Sequence, residues 1–264
     1  MVPLFVRYVK LKYALVISYD GTLYSGWQIQ PHSLSIQQTI ERVLKQLLGY
    51  HCRIVGAGRT DAGVHALYQV AHFFTPQMLH PSSFISSINQ MLPQNIQIID
   101  MRLVPFEFHA RFSVTKKIYR YYIETAPIMP PWQAHYFAHM PYLINYRLIQ
   151  HAFPYLIGKR DFTAFGNTSK HTKDSPIKTL YAIHLQVLNS HAFYLEFIGS
   201  GFLYKMVRNL VATLIAIGTK QRSIETLPLI LATQDRRTIG APAPAQGLFL
   251  AHIEYDKPYF QTPT

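Results

Sequence analysis

Residues 35–49 have the sequence SIQQTIERVLKQLLG, the clearest helical signal in the chain. Ser35 and Gln38 form a capping box at its start, and Gly49 is typical of the position just beyond a helix end. The apolar residues recur at the spacing that places them on one side of a helix. They are Ile36, Ile40, Val43, Leu44, Leu47 and Leu48. The stretch therefore predicts an amphipathic helix.

The segments on either side of this helix predict a ferredoxin-like arrangement in the first hundred residues. Strands are expected where β-branched and aromatic residues lie between turn signals, and a second helix where apolar residues recur at helical spacing. The predicted strands are 13–19, 53–57, 68–75 and 94–103, and the second helix is 82–92. The resulting order, β-α-β-β-α-β, is that of a split βαβ unit.

The rest of the chain predicts the same order a second time, with longer connections. The strands are 115–124, 178–188, 193–199 and 247–255, the helices are 145–157 and 202–217, and the inserts are 125–141, 167–175, a helical 223–233 and 240–246. Pro154 and Pro228 are expected to kink or limit the helices that contain them. We predict a mixed α/β (α+β) fold with two ferredoxin-like halves, whose mainly antiparallel sheets are flanked by helices. The predicted domains are 1–107 and 108–264.

The composition describes a folded, basic protein. Hydrophobic residues make up 49% of the 264 residues and charged residues 14%, a mixture too apolar for intrinsic disorder. Lys and Arg number 25 against 13 Asp and Glu, a net charge of +12. This charge favours a polyanionic partner, either nucleic acid or acidic lipid.

Several function classes lack their signals in this sequence. Cys52 is the single cysteine, which excludes an intramolecular disulfide and a multi-cysteine zinc site. Neither an H-E-x-x-H pattern nor a G-x-S-x-G pattern is present, so the sequence does not support a metalloprotease or a serine hydrolase. The longest apolar stretch, 210–217, is shorter than the roughly 20 residues that span a bilayer. We expect a cytoplasmic protein.

A glycine-containing loop at 56–63, with the sequence GAGRTDAG, follows a predicted strand as a phosphate-binding loop would. It lacks a glycine of the dinucleotide fingerprint, where Asp61 stands, and it lacks the Gly-Lys-Ser/Thr end of a P-loop. The loop instead presents Arg59 and Asp61 two residues apart. Asp61 is either the cap of a turn or a carboxylate nucleophile or base with a cationic neighbour, and the spacing leaves both open.

Cations alternate with aromatic residues in the strand at 116–122, KKIYRYY. Alternation along a strand places Lys117, Tyr119 and Tyr121 on one face. This pattern is typical of a surface that stacks a nucleobase beside a phosphate, and equally of ordinary packing in a tyrosine-rich strand. In the predicted helix at 202–217, Arg208 lies off the apolar stripe and by itself indicates only a surface arginine.

Six stretches resemble motifs of the tRNA pseudouridine synthase A family, and they occur in the family's order. The most specific of them is GRTDAGVHA at 58–66. The others are YDG to GWQ at 19–28, FHARFS at 108–113, KIYRY at 117–121, GFLYKMVRN at 201–209 and APAPAQGLFL at 241–250. Because the motifs are collinear across nearly the whole chain, the resemblance is far more specific than any one of them.

The resemblance implies an enzyme that isomerises uridine to pseudouridine in the anticodon stem-loop of tRNA. By similarity Asp61 is the nucleophilic aspartate, which adds to base or sugar or stabilises charge on the sugar, and Arg208 is its ion-pair partner. Tyr119 stacks on the target base and takes part in proton removal from C5. Arg59 helps to extrude the uridine, and Leu248 forms part of the apolar wall of the pocket.

The resemblance also implies the partners of the protein. Family members use no cofactor and no metal, and they are homodimers with a basic cleft that binds tRNA. Lys205 adds a charge to the family pattern close to Arg208, and Pro154 disturbs a peripheral helix. A non-catalytic RNA-binding protein on the same scaffold is the alternative, although RNA binding alone requires no carboxylate facing a polyanion.

Overall fold

The helix predicted from residues 35–49 is present, and its cap is the predicted one. The structure, a computed structural model, describes residues 10–167 and 175–260. The helix spans Ile36–Leu48, with the Ser35 side chain accepting a hydrogen bond from the Gln38 N–H. Gly49 follows it in the left-handed conformation, φ +83°, which glycine adopts without strain.

The described residues form ten strands and five α-helices. The strands are β1 (Leu11–Tyr19), β2 (Val55–Gly56), β3 (His65–Thr75), β4 (Ile96–Leu103), β5 (Val114–Glu124), β6 (Ala138–His139), β7 (Gly158–Asp161), β8 (Ile177–Val187), β9 (Ala192–Gly199) and β10 (Leu248–Tyr255). The helices are α1 (Ile36–Leu48), α2 (Pro81–Met91), α3 (Tyr146–Leu156), α4 (Met206–Gly218) and α5 (Thr226–Thr233). None of these helices is long and apolar enough to cross a membrane.

Each half of the chain builds the predicted β-α-β-β-α-β unit. The strand order is β4-β1-β3-β2 in the first half and β10-β5-β9-β8 in the second, and every pairing within these units is antiparallel. The mixed α+β fold class is therefore confirmed. A division into domains 1–107 and 108–264 stays a prediction.

The two units join into one continuous sheet through β3 and β10. These strands pair in parallel over two positions, His65 opposite Phe249 and Ala66 opposite Leu250. Strand β2 occupies the other end of β3, opposite Ala71 and His72, which leaves the His65 end free to pair with the second half. The loop between β2 and β3 thus lies where the two halves meet.

Several predicted elements have other bounds in the structure, and two of these differences have a clear cause. The strand predicted at 53–57 is reduced to Val55–Gly56, because α1 side chains bind the backbone of Ile54: Gln37 Nε2 donates to its carbonyl and Glu41 Oε1 accepts from its N–H. The helix predicted at 202–217 begins only at Met206. Lys205 before it has φ +61°, a left-handed conformation that cannot continue a right-handed helix.

The two prolines lie in the end turns of their helices, and α5 begins at Thr226, three residues after the predicted start. Pro154 lies in the last turn of α3, which ends at Leu156, one residue before the predicted end. Pro228 lies in the first turn of α5, where the backbone N–H has no helical acceptor in any case. Most of the insert 167–175, with Lys170 and Lys173, lies outside the described residues.

Candidate active site

An ion pair joins the two halves of the chain at the loop between β2 and β3. Arg208 Nη1, from the first turn of α4, donates to Asp61 Oδ2 at 3.0 Å. The side chains are only 13% and 17% exposed, so the pair is shielded from water without being sealed off. A partly buried, hydrogen-bonded pair of this kind is stronger than a surface ion pair.

The Arg208 guanidinium is held in a second direction. Its Nε donates to the carbonyl of Ala243 at 2.6 Å, and the Ala243 N–H donates back to the Arg208 carbonyl at 3.1 Å. The segment that precedes β10 therefore fixes the plane of the guanidinium. Since that plane is fixed, the arginine presents Nη1 to Asp61 in one orientation.

The loop that carries Asp61 is bound from its own half of the chain as well. The Trp27 N–H donates to the Thr60 carbonyl at 3.1 Å, and the Tyr19 hydroxyl lies 2.8 Å from Thr60 Oγ1. Gly26 has φ +92°, and a Cβ there would lie 2.3 Å from the Thr60 carbonyl oxygen. Only glycine allows this close approach, so the GWQ motif at 26–28 supports the loop.

Burial dominates the electrostatics of Asp61. It raises the pKa of the carboxyl group above its ordinary value, while the charges of Arg208 and, more weakly, Lys205 act in the opposite direction. Arg208 and Lys205 thus favour the ionised form that a nucleophile needs. A carboxylate with a fixed cationic partner in a partly dry site is suited to covalent catalysis.

Tyr119 lies beside this carboxylate. The residue is 7% exposed, and its ring meets the edge of Phe202, with centroids 5.1 Å apart at 83°. Burial, with the neighbouring Tyr19 and Asp61, raises the pKa of its phenol, so the hydroxyl is neutral at neutral pH. Among residues 10–167 and 175–260 this hydroxyl has no hydrogen-bond partner, which leaves it available to a substrate.

The remaining two predicted residues are Leu248, at the start of β10, and Arg59, on the loop that carries Asp61. Leu248 is buried at the start of β10, opposite Tyr121, whose hydroxyl donates to the Pro244 carbonyl at 2.8 Å. Arg59 is exposed two residues before Asp61, and within the described ranges it forms no hydrogen bond or ion pair. Asp61, Arg208, Tyr119 and Leu248 are thus mostly or fully buried, and Arg59 lies at the surface.

Sequence reasoning missed part of the loop's support. The sequence marks Tyr19 as the end of a strand and the first residue of the motif at 19–28, but it does not indicate that the Tyr19 hydroxyl binds Thr60, the residue before Asp61. Lys117 was interpreted as a phosphate contact or a packing residue, and its ammonium in fact donates to the Ala57 carbonyl at 2.8 Å. The motif at 117–121 draws attention to Lys117, but sequence spacing does not indicate that Lys117 binds the Ala57 carbonyl.

Comparison with known proteins shows the family of the chain. A model of the tRNA pseudouridine synthase family matches residues 15–113 and 152–256. These ranges include Asp61, Arg208 and Leu248, and Tyr119 lies between them. The chain belongs to this family. It is an isomerase, a tRNA pseudouridine synthase, as the resemblance of its motifs predicted.

Named relatives agree with the family match along nearly their whole length. The Protochlamydia amoebophila protein named tRNA pseudouridine synthase A 1 is 41% identical over 247 residues, 92% of this chain and 96% of the relative. A tRNA pseudouridine synthase A of Chlamydia trachomatis is 41% identical over 251 residues, 94% of this chain and 93% of the relative. That of Lactobacillus acidophilus is 37% identical over 249 residues, 93% of this chain and 95% of the relative.

Within residues 10–167 and 175–260, no group of three or more His, Cys, Asp or Glu side chains is arranged to hold a metal ion.

Proposed function

We propose that the protein isomerises uridine to pseudouridine in the anticodon stem-loop of tRNA, with Asp61 as the nucleophilic aspartate. The observation that supports this most is the 3.0 Å pair between Arg208 Nη1 and Asp61 Oδ2, beside the Tyr119 hydroxyl, which has no hydrogen-bond partner among the described residues. A binding protein has no need for a carboxylate in a basic site, because a carboxylate repels phosphate. The pair therefore favours catalysis over the alternative of RNA binding alone.

The reaction breaks one bond of the nucleoside and forms another. The N1–C1′ bond breaks, the base turns, C5 bonds to C1′, and the proton at C5 leaves while N1 gains one. Asp61 adds to base or sugar, or balances positive charge that develops on the sugar, and all three roles require its ionised form. Arg208 keeps the carboxylate charged and oriented for this step.

Tyr119 and Leu248 form the surroundings of the target base. In this proposal the Tyr119 ring stacks on the uracil, which suits its position beside Asp61. Because its phenol is neutral at rest, it takes part in removing the C5 proton only after passing its own proton on. Leu248 contributes an apolar wall.

Arg59 would act at the opening of the site. It is exposed on the same loop as Asp61 and has no partner among the described residues, so it is free to enter an RNA helix. We propose that it takes the place of the extruded uridine, as in base flipping. The net charge of +12 suits tRNA as the partner in a basic cleft.

Assembly and location follow from the same proposal. We propose a homodimer that works in the cytoplasm, where its substrate is found. Sedimentation equilibrium of the purified protein, with and without tRNA, would measure the number of copies. A monomer in both conditions would contradict the dimer and leave the chemistry unaffected.

The substrate is tested with unmodified tRNA that carries tritium at C5 of its uridines. We expect wild type to release tritium without added metal or cofactor, and Asp61→Ala to release none. Asp100→Ala is the matched control, since Asp100 also pairs with an arginine, Arg102, at 3.0 Å but lies on β4 away from the site. Pseudouridine mapped outside the anticodon stem-loop would contradict the proposed position.

A further inference from the structure

Lys117 reaches from the second half of the chain to the start of the loop that carries Asp61. It lies on β5, on the face it shares with Tyr119, and its Nζ donates to the Ala57 carbonyl at 2.8 Å. Ala57 itself is fully buried, and its N–H donates to the Val70 carbonyl at 2.7 Å. The ammonium thus binds the loop where it leaves β2.

Gly58 packs directly against this ammonium. A Cβ on Gly58 would lie 3.2 Å from Lys117 Nζ and 4.0 Å from the Tyr119 hydroxyl, so the loop passes over both groups. From the other side, Gln69 Nε2 donates to the Gly58 carbonyl at 2.8 Å. The backbone at 57–58 is therefore held between a lysine of one half and a glutamine of the other.

Two cations of the second half hold the two ends of the segment 57–61. Lys117 binds its first residue through a carbonyl, and Arg208 binds its last residue through the Asp61 carboxylate. Between them, donors of the first half bind the carbonyls of Gly58 and Thr60. Hydrogen bonds from charged donors are stronger than neutral ones, so the two cations dominate this arrangement.

We propose that Lys117 is a positioning residue of the reaction, which holds the backbone of the segment 57–61 so that Asp61 meets its target. It acts through the Ala57 carbonyl and the contact with Gly58, and touches no reacting atom. The proposal rests on the role proposed for Asp61. A displacement of about 1 Å in a reacting group lowers a rate by roughly 100-fold, which makes a distant tether kinetically visible.

Lys117→Met tests this role, with Lys116→Met as the matched control. Lys116 is the preceding residue of β5 and points to the opposite face, where it pairs with Glu254 at 2.9 Å, so both variants lose one positive charge. Three quantities are measured: the single-turnover rate of tritium release, the Kd for tRNA over a range of salt concentrations, and hydrogen exchange of peptides covering 57–66. Thermal unfolding of each variant is recorded alongside.

For Lys117→Met we expect a single-turnover rate ~10- to 100-fold below wild type, an unchanged Kd and salt slope, and faster exchange at 57–66. Lys116→Met should change none of these. Lys117→Arg keeps a charged donor and should therefore be faster than Lys117→Met. If the methionine variant folds poorly, the arginine variant still tests whether a charged donor at this position supports the rate.

Three results would overturn the proposal. A raised Kd with a salt slope reduced by about one would make Lys117 a phosphate contact. An unchanged rate would show that the tether is irrelevant, and equal losses in both methionine variants would reveal a general effect of charge. Hydrogen exchange at 57–66 is measured independently of activity. If wild type were inactive while exchange was faster only in Lys117→Met, the proposed function would be contradicted, but the role of Lys117 in holding the loop would not.

Discussion

Two clusters of charged side chains hold their charge in opposite ways: the pair of Asp61 and Arg208 where the two halves meet, and a buried cluster around Lys12 in the first half. In the candidate active site, Asp61 and Arg208 form a pair of opposite sign that remains partly open to solvent. In the second cluster, Lys12 is 5% exposed, and its Nζ donates to the carbonyl oxygens of Phe106 and Phe108. The same ammonium lies 4.9 Å from the ring centroid of Phe74.

The histidines beside Lys12 are held in their neutral form. His72 Nδ1 accepts from the Ala110 N–H at 3.2 Å, and His109 Nδ1 accepts from the Arg111 N–H at 3.1 Å. Burial, together with the weaker effects of the neighbouring His109 and Lys12, lowers the pKa of His72 to about 4. The motif at 108–113 is thus part of a structural cluster.

The difference between the clusters separates reactivity from stability. Asp61 can carry a charge, is oriented by a fixed guanidinium, and lies beside the Tyr119 hydroxyl, which is unpaired within residues 10–167 and 175–260. In the Lys12 cluster the ammonium is bound by two backbone carbonyls and packs against an aromatic ring. We infer that the first cluster is built for chemistry and the second for joining β1, β3 and the 104–113 link.

Asp61→Asn should have the largest effect and sharpen the contrast most. Turnover should fall at least ~1,000-fold, because the amide is neither charged nor nucleophilic. The Kd for tRNA should stay close to that of wild type, since the basic surface is intact. Tritium release and filter binding measure the two quantities. Parallel loss of turnover and binding would indicate a structural role for Asp61.

Acid should destabilise the second cluster. The folded-state pKa of His72, about 4, lies below the ordinary 6.5, so between these values the unfolded state binds more protons. The free energy of unfolding should therefore fall as pH drops from about 6.5 to about 4, by up to about 3 kcal/mol from His72. Urea titrations at several pH values measure this loss.

The contribution of His72 is isolated by a substitution. His72→Gln should remove part of the pH dependence, whereas His151→Gln, on the exposed side of α3, should not. The same pH dependence in wild type and His72→Gln would show that His72 does not carry the effect.

Arg208→Lys should lower the rate by roughly 10- to 100-fold, a smaller loss than that from removing the carboxylate. A lysine keeps the charge but cannot reproduce the planar geometry that serves Asp61 and the Ala243 carbonyl together. Single-turnover tritium release measures the rate, and Arg102→Lys, in the pair with Asp100, is the control. A rate equal to that of wild type would remove Arg208 from the site.

The smallest expected effect is a shift of the pH–rate profile. Because the pKa of Asp61 is raised by burial, the acidic limb of the profile should lie above the ordinary range of aspartate, with activity increasing as pH rises. Lys205→Met should move this limb to higher pH, since the Lys205 charge favours the ionised form. Lys220→Met, a left-handed lysine at the other end of α4, should leave it in place. Identical limbs in wild type and Lys205→Met would show that Lys205 does not influence Asp61.

Local signals predicted the elements well where neighbouring residues control them. The cap at Ser35 and the end at Gly49 depend on groups within one helical turn, and both were predicted from the sequence. The start of α4 was predicted four residues too early, because periodicity does not reveal that Lys205 has φ +61°. Strand β2 was predicted too long, because the side chains of Gln37 and Glu41 on α1 bind the backbone of Ile54.

The sequence by itself determined the two β-α-β-β-α-β units and, through its collinear motifs, the family and the residues to examine. Spacing alone left Asp61 as a possible turn cap and Arg208 as an ordinary surface arginine. Only the tertiary structure decided that Arg208 meets Asp61 from 147 residues away, that Lys117 binds Ala57, and that β10 joins β3. Capping and periodicity depend on neighbours in the chain, whereas these contacts form because two halves bury their surfaces together.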